Sequence, residues 1–98
     1  MITESQEISH RTQVALTIRA ARTALGWSQE ELAKRASVSK PTIARIETGG
    51  ISPRAETLNT LMKVFHAQGI GVETDEGGVA IRYSNKALLT LQAHLDTK

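Results

Sequence analysis

At 98 residues the chain is one domain's worth of protein, and with 40% apolar but only 3% aromatic residues its core must be built from aliphatic side chains. The absence of cysteine excludes a disulfide scaffold, a thiolate nucleophile and a thiolate zinc site, and it suits a reducing, cytoplasmic setting. Net charge is only +2, yet residues 19–54 hold seven basic side chains (Arg19, Arg22, Lys34, Arg35, Lys40, Arg45, Arg54) against Glu30, Glu31 and Glu47, a local excess that fits either a polyanionic partner or a solvated charged surface.

The first residues, MITESQEISHRTQ, carry no apolar run of signal-peptide type, and no segment approaches the roughly 18 apolar residues of a membrane span. Residues 1–9 are polar and expected to fray as a flexible N-terminus. From His10 to Leu25, the residues Val14, Ile18, Ala21 and Leu25 recur on one helical face, and Gly26 suits the left-handed residue that ends a helix. A second helix is predicted from Ser28. Ser28 and Glu31 fit a reciprocal capping box, Trp27 and Leu32 occupy the hydrophobic-staple positions, and Leu32, Ala33 and Ala36 form a small apolar face.

Ser39 is a good cap for a third helix, with Pro41 in the first turn where a missing N–H costs little. Val38, Ile43 and Ile46 turn inward, and Gly49-Gly50 stops the helix. Ser52-Pro53 reads as the capped start of a fourth helix with Leu58, Leu61, Met62 and Phe65 as its buried stripe, ending near Gly69. Farther on, IGVET and VAIRY alternate in polarity around DEGG, the pattern of a β-hairpin. Asn85 is expected to cap a last helix with Leu88, Leu91 and Leu95 on one face. The fold class is therefore mainly α: four helices joined by tight corners over residues 10–68, followed at 69–98 by a hairpin and short helix extension for dimerisation or partner binding.

Helices two and three are too short to be stable alone in water, and only SVS separates them. Two short helices joined by a tight turn form a helix-turn-helix, in which the first crosses the phosphate backbone and the second lies in the major groove. A short second helix suffices, because only its first turns reach the base edges.

The segment IRAARTALGWSQEELAKRASVSKPTIARIETGGISPRAETLNTLMKVF resembles the Cro and phage-repressor type of helix-turn-helix, also called XRE-like. Its markers are SQEELA, then VS, then the I-x-x-I-E-x-G run, then SPRAETL, and the likeness covers about 50–60 of the 98 residues. The resemblance implies a four- to five-helix fold, binding to operator DNA and, commonly, a dimer. By the same resemblance Lys40, Pro41 and Thr42 open the recognition helix where bases are read, with Arg45 one turn on. Gln29 matches a glutamine that binds phosphate and braces the recognition helix. Arg19 and Arg54 match phosphate-facing basic positions, and Ser39 is placed with them. Arg22 and Glu47 match an ion pair that ties helix one to the end of helix three.

This chain departs from the family at two positions. Ser37 stands where glycine is usual in the turn, a position of positive φ that costs a serine about 1 kcal/mol. Pro41 replaces a common polar base-reader and can offer only apolar or backbone contact, such as with a thymine methyl. Read from the residues alone, Arg45 is either a guanine reader or a surface arginine, Lys40 serves phosphate and base equally well, and the Thr42 hydroxyl is also a natural helix cap. Arg35 and Lys34 read as solvated charges, and Trp27 as a core staple.

His10, His66 and His94 share no metal-ligand spacing, no G-x-S-x-G elbow or Ser-His-acid set is legible, and Gly69-Ile70-Gly71 is not a dinucleotide fingerprint. Hence no metal, no cofactor and no enzyme activity is expected. The expected function is a sequence-specific regulator that binds double-stranded DNA at a pseudo-palindromic operator, a dimeric repressor without a membrane partner. The alternative is an antitoxin that binds a toxin protein and autoregulates through the same motif, and a third reading is a restriction–modification controller.

Overall fold

A computed structural model describes residues 9–75 and 77–96; the predicted fraying of residues 1–8 and Glu76 of the predicted turn lie outside them. The elements are α1 (His10–Ala24), α2 (Gln29–Ala36), α3 (Lys40–Glu47), α4 (Ala55–Ala67), β1 (Ile70–Asp75), β2 (Gly78–Tyr83) and α5 (Asn85–Asp96). No helix among the described residues is long and apolar enough to cross a membrane.

Serines start three of the first four helical segments. Ser9 Oγ accepts from Thr12 N at 3.1 Å, so Ser9 caps α1 where fraying was expected. Ser28 Oγ accepts from Glu31 N at 3.0 Å and Ser39 Oγ from Thr42 N at 3.3 Å. Each bond satisfies one of the N–H groups that a helix start leaves without a partner.

The first three helices end by one device. A residue at positive φ follows each: Gly26 (φ 72), Ser37 (φ 54) and Gly49 (φ 75). Its N–H bonds back three residues and the next N–H bonds back five, as in Gly26→Thr23 and Trp27→Arg22, Ser37→Lys34 and Val38→Ala33, Gly49→Ile46 and Gly50→Arg45. This is the Schellman closure, in which a left-handed residue lets the last carbonyls find donors. Ser37 is the one non-glycine residue at positive φ among those described.

Two expected caps are corrected. The fourth helix begins at Ala55, with Arg54 as its N-cap and no side-chain cap, rather than at Ser52-Pro53. Ile51 packs on the core and Arg54 is still extended (ψ 153), so the first helical bond is Leu58 N to Arg54 O, beyond reach of the Ser52 hydroxyl. In α5 the cap is Ser84, whose Oγ accepts from Ala87 N at 3.2 Å, and Asn85 is the first helical residue. Ser84 N bonds to Gly69 O at 2.8 Å, which fixes the residue before the helix begins. Gly69 (φ 86) lies so close that an added Cβ would meet Ser84 Oγ and stand 3.1 Å from the Ala87 backbone.

The core is one cluster built on Ile18, Leu32, Ile43, Ile46, Leu61 and Phe65, and Ile70 and Ala87 join it. The strands pair antiparallel from Ile70↔Tyr83 through Val72↔Ile81 to Asp75↔Gly78. Partners in such a ladder share a face, so Ile70, Val72, Val79, Ile81 and Tyr83 lie on one side. That side packs on α1 and α4. It accounts for the burial of Thr17, outside the predicted stripe, which meets Val79 and Ile81 of the hairpin. On α5, Leu88, Leu91 and Leu95 share one face, as the spacing implies, and the core covers little of it. Ala87 is buried, Leu91 is half-buried, and Leu88 and Leu95 remain 50% and 68% exposed. Ala87 packs beside Gly69, where a side chain on residue 69 would collide with it.

Candidate nucleic-acid interface

Helix α3 is held at its C-terminal end by charge. Glu47, its last residue, is only 3% exposed. From α1, Arg22 Nε donates to Glu47 Oε2 at 2.7 Å and Nη2 to Oε1 at 3.0 Å, a two-pronged pair, while Nη1 donates to the Trp27 carbonyl at 2.7 Å. Gln29, the first residue of α2, donates from Nε2 to Glu47 Oε1 at 3.1 Å. One carboxylate therefore joins α1, the corner at Trp27, α2 and α3. A buried carboxylate is tolerable because a guanidinium fork and an amide satisfy it, and no buried side-chain polar atom among the described residues lacks a partner.

At the N-terminal end the control is local. Ser39 Oγ caps Thr42 N and also lies 2.8 Å from Thr42 Oγ1. Lys40, Pro41 and Arg45 are exposed and Thr42 is half-buried. Among the described residues the Lys40 ammonium and Arg45 guanidinium have no hydrogen-bond or ion-pair partner. A recess of about 400 Å3 lined by Thr42, Ile51 and Arg54 brings the start of α4 beside the first turn of α3. Arg19 is exposed on α1, which packs on α3, but it does not line that recess. The residues named from the sequence thus fall into a bracing group (Arg22, Gln29, Glu47), an α3 group (Ser39, Lys40, Pro41, Thr42, Arg45) with Arg54 against it, and Arg19 apart.

Sequence reasoning missed the role of Arg35. Its guanidinium carbon lies 4.2 Å from the centre of the Trp27 ring, and its Nε donates to Glu31 Oε2 at 2.9 Å. The Trp27 and Phe65 rings are 6.4 Å apart and inclined by 23°. Glu31 therefore spends its carboxylate on Arg35, and only the Ser28 half of the expected capping box is made. The four-residue spacing of Glu31 and Arg35 was a usable signal for the ion pair; the stacking on Trp27 needs the corner geometry. No group of three or more His, Asp or Glu side chains that could hold a metal occurs among the described residues.

Comparison with known proteins agrees with this geometry. A family model described as helix-turn-helix matches residues 18–68, from the middle of α1 to the end of α4. The chain is also similar to antitoxin HipB of Escherichia coli strain K12, with 34% identity over 62 residues, covering 63% of this chain and 67% of that protein. A core that buries α2 against α3, a third helix capped by a serine and a match spanning four helices lead to one assignment: the chain belongs to the helix-turn-helix family of the Cro and phage-repressor, or XRE, type.

Proposed function

We propose that the protein is a sequence-specific, double-stranded DNA-binding transcriptional regulator that represses as a dimer in the cytoplasm, and that its work is recognition rather than catalysis, with no cofactor. The observation that carries this reading is α3 itself: braced through Glu47 at one end, it leaves Lys40, Pro41, Thr42 and Arg45 open to a major groove at the other. Arg45 suits a guanine, whose O6 and N7 accept from a guanidinium fork, and Pro41 suits a thymine methyl. Arg19, Ser39 and Arg54 serve phosphates. Gln29 keeps a second amide N–H beside the free N–H groups of the α2 start, so it can hold a phosphate while its first N–H braces Glu47.

In this reading residues 10–68 form the DNA-binding unit and residues 69–98 the element for self-association or partner binding. Helices α1 and α4 cover most of the hairpin's apolar face, but Tyr83, Leu88, Leu89 and Leu95 remain exposed in that segment, which supports a second copy as the cover. A two-fold pair would place two α3 helices about 34 Å apart on a pseudo-palindromic site. A second reading, an antitoxin that also binds a toxin protein, is supported by the similarity to antitoxin HipB.

Selection of bound sequences from random duplex DNA, followed by a salt titration on the selected site, tests the proposal. With about four to six phosphates neutralised per dimer, log K should fall with log salt at a slope of roughly −4 to −5. A flat response would remove DNA binding.

A further inference from the structure

We infer that Ser39 sets the hydrogen-bond polarity of Thr42, so that Thr42 reads its base as an acceptor and by its methyl group and discriminates against guanine. The inference rests on the DNA-binding reading above and goes beyond it by naming which bases Thr42 admits.

The chemistry is a count of hydrogens. Ser39 Oγ and Thr42 Oγ1 are 2.8 Å apart, and either can donate. Ser39 Oγ also accepts from Thr42 N at 3.3 Å. Each hydroxyl owns one hydrogen, and the shared bond consumes one, so the pair presents a single outward donor. Phosphate oxygens only accept. When Ser39 donates to a phosphate, its own hydrogen is used, and the shared bond must run from Thr42 to Ser39. Thr42 then shows the groove lone pairs and a methyl group. Adenine N6 and cytosine N4 amino groups can donate to those lone pairs, and the thymine methyl can pack on the threonine methyl. Guanine presents only N7 and O6 acceptors in the major groove, so lone pairs would face lone pairs. Were the pair reversed, Thr42 would be the donor and guanine would be welcome.

The same pairing of a capping serine with a threonine three residues on occurs at Ser9 and Thr12 (2.8 Å). The bond itself is thus local cap chemistry. What distinguishes the α3 copy is its position at the first turn of the recognition helix, beside the recess that Arg54 lines.

Two substitutions separate the alternatives while keeping the cap. Glycine is tolerated at an N-cap nearly as well as serine, so Ser39→Gly keeps α3 folded but frees the Thr42 hydroxyl to turn. Ser39→Asp caps well and only accepts, so it holds Thr42 in the donating-inward state while repelling phosphate. The contacted base is the operator position whose preference changes in Thr42→Ala. The measurement is binding of full-length protein and variants to four duplexes that differ only at that base, at fixed salt. Guanine should bind the parent about tenfold more weakly than the preferred base, the usual scale for one unfavourable position. Ser39→Asp should weaken all four duplexes and keep the guanine penalty, and Ser39→Gly should shrink that penalty to threefold or less. A parent that prefers guanine there, or a penalty unchanged in Ser39→Gly, would overturn the inference while leaving DNA binding intact. Failure of the parent to distinguish any duplex from random DNA would instead overturn the reading on which it rests, and the inference with it.

Discussion

Removing the Glu47 carboxylate should be the most damaging single change on the bracing side of the motif. In Glu47→Ala, Arg22 loses two of its three hydrogen bonds and keeps only the one to the Trp27 carbonyl, while Gln29 loses its donor bond. Breaking a buried ion pair by removing one partner costs about 3–5 kcal/mol, because the other charge stays behind unpaired. Arg22 is 19% exposed against 3% for Glu47, so water can reach part of the guanidinium and the lower end applies, about 3 kcal/mol. For a domain of this size each kcal/mol moves the melting temperature by about 4–8 °C, so Tm should fall by about 12–24 °C in a circular dichroism or calorimetric melt. The double change Arg22→Met with Glu47→Leu removes both charges and should recover much of that loss, since apolar replacement of a buried pair is often near neutral. DNA affinity in Glu47→Ala should follow the loss of folded protein and recover on cooling. A Tm within about 4 °C of the parent, an effect below roughly 1 kcal/mol, would show that the Arg22–Glu47 pair does not hold α3 in place.

Other substitutions test separate parts of the molecule. Arg45→Ala should cost about 1–3 kcal/mol on a selected operator and little on a scrambled duplex, whereas Gln29→Ala should weaken both by a similar factor; equal losses from Arg45→Ala would make it a phosphate contact and move specificity to Lys40, Pro41, Thr42 and DNA shape. Ser37→Gly should stabilise the fold by about 0.5–1 kcal/mol, read as a higher urea midpoint, since relief of left-handed strain outweighs the added freedom of the unfolded chain, and a lowered midpoint would refute strain at that corner. Light scattering at micromolar concentration should report a dimer, with Leu88→Glu or Leu95→Glu shifting it toward monomer; a monomer in the parent, with and without DNA, would refute dimerisation.

Much of this molecule follows from short-range rules. Helix caps and stops depend on residues within about five positions, so Ser28 and Ser39 as caps and Gly26 and Gly49 as stops were legible, while the left-handed position of Ser37 came from the family resemblance. Apolar spacing marked the faces that pack, and the ladder of alternating residues marked the hairpin. Ser52 and Asn85 misled because a capping residue in the sequence says only that a helix can start there. Where it does start depended on Ile51 and Ser84, each fixed by distant contacts in the core or to Gly69. Likewise the residues of α5 permit either a leucine face or the Ala87 face to turn inward. The Ala87 face is the one that meets Gly69 and the core, a contact between residues far apart along the chain that no local pattern contains. The family resemblance supplied the pairing of Arg22 with Glu47, but the sharing of that carboxylate with Gln29, and the stacking of Arg35 on Trp27, exist only once three helices meet at one corner. By itself, then, the sequence determined which elements form and in what order, because those depend on neighbours along the chain. Tertiary structure alone decided which charges are shared, which hydroxyls are coupled and which leucines stay in water, because those depend on neighbours in space.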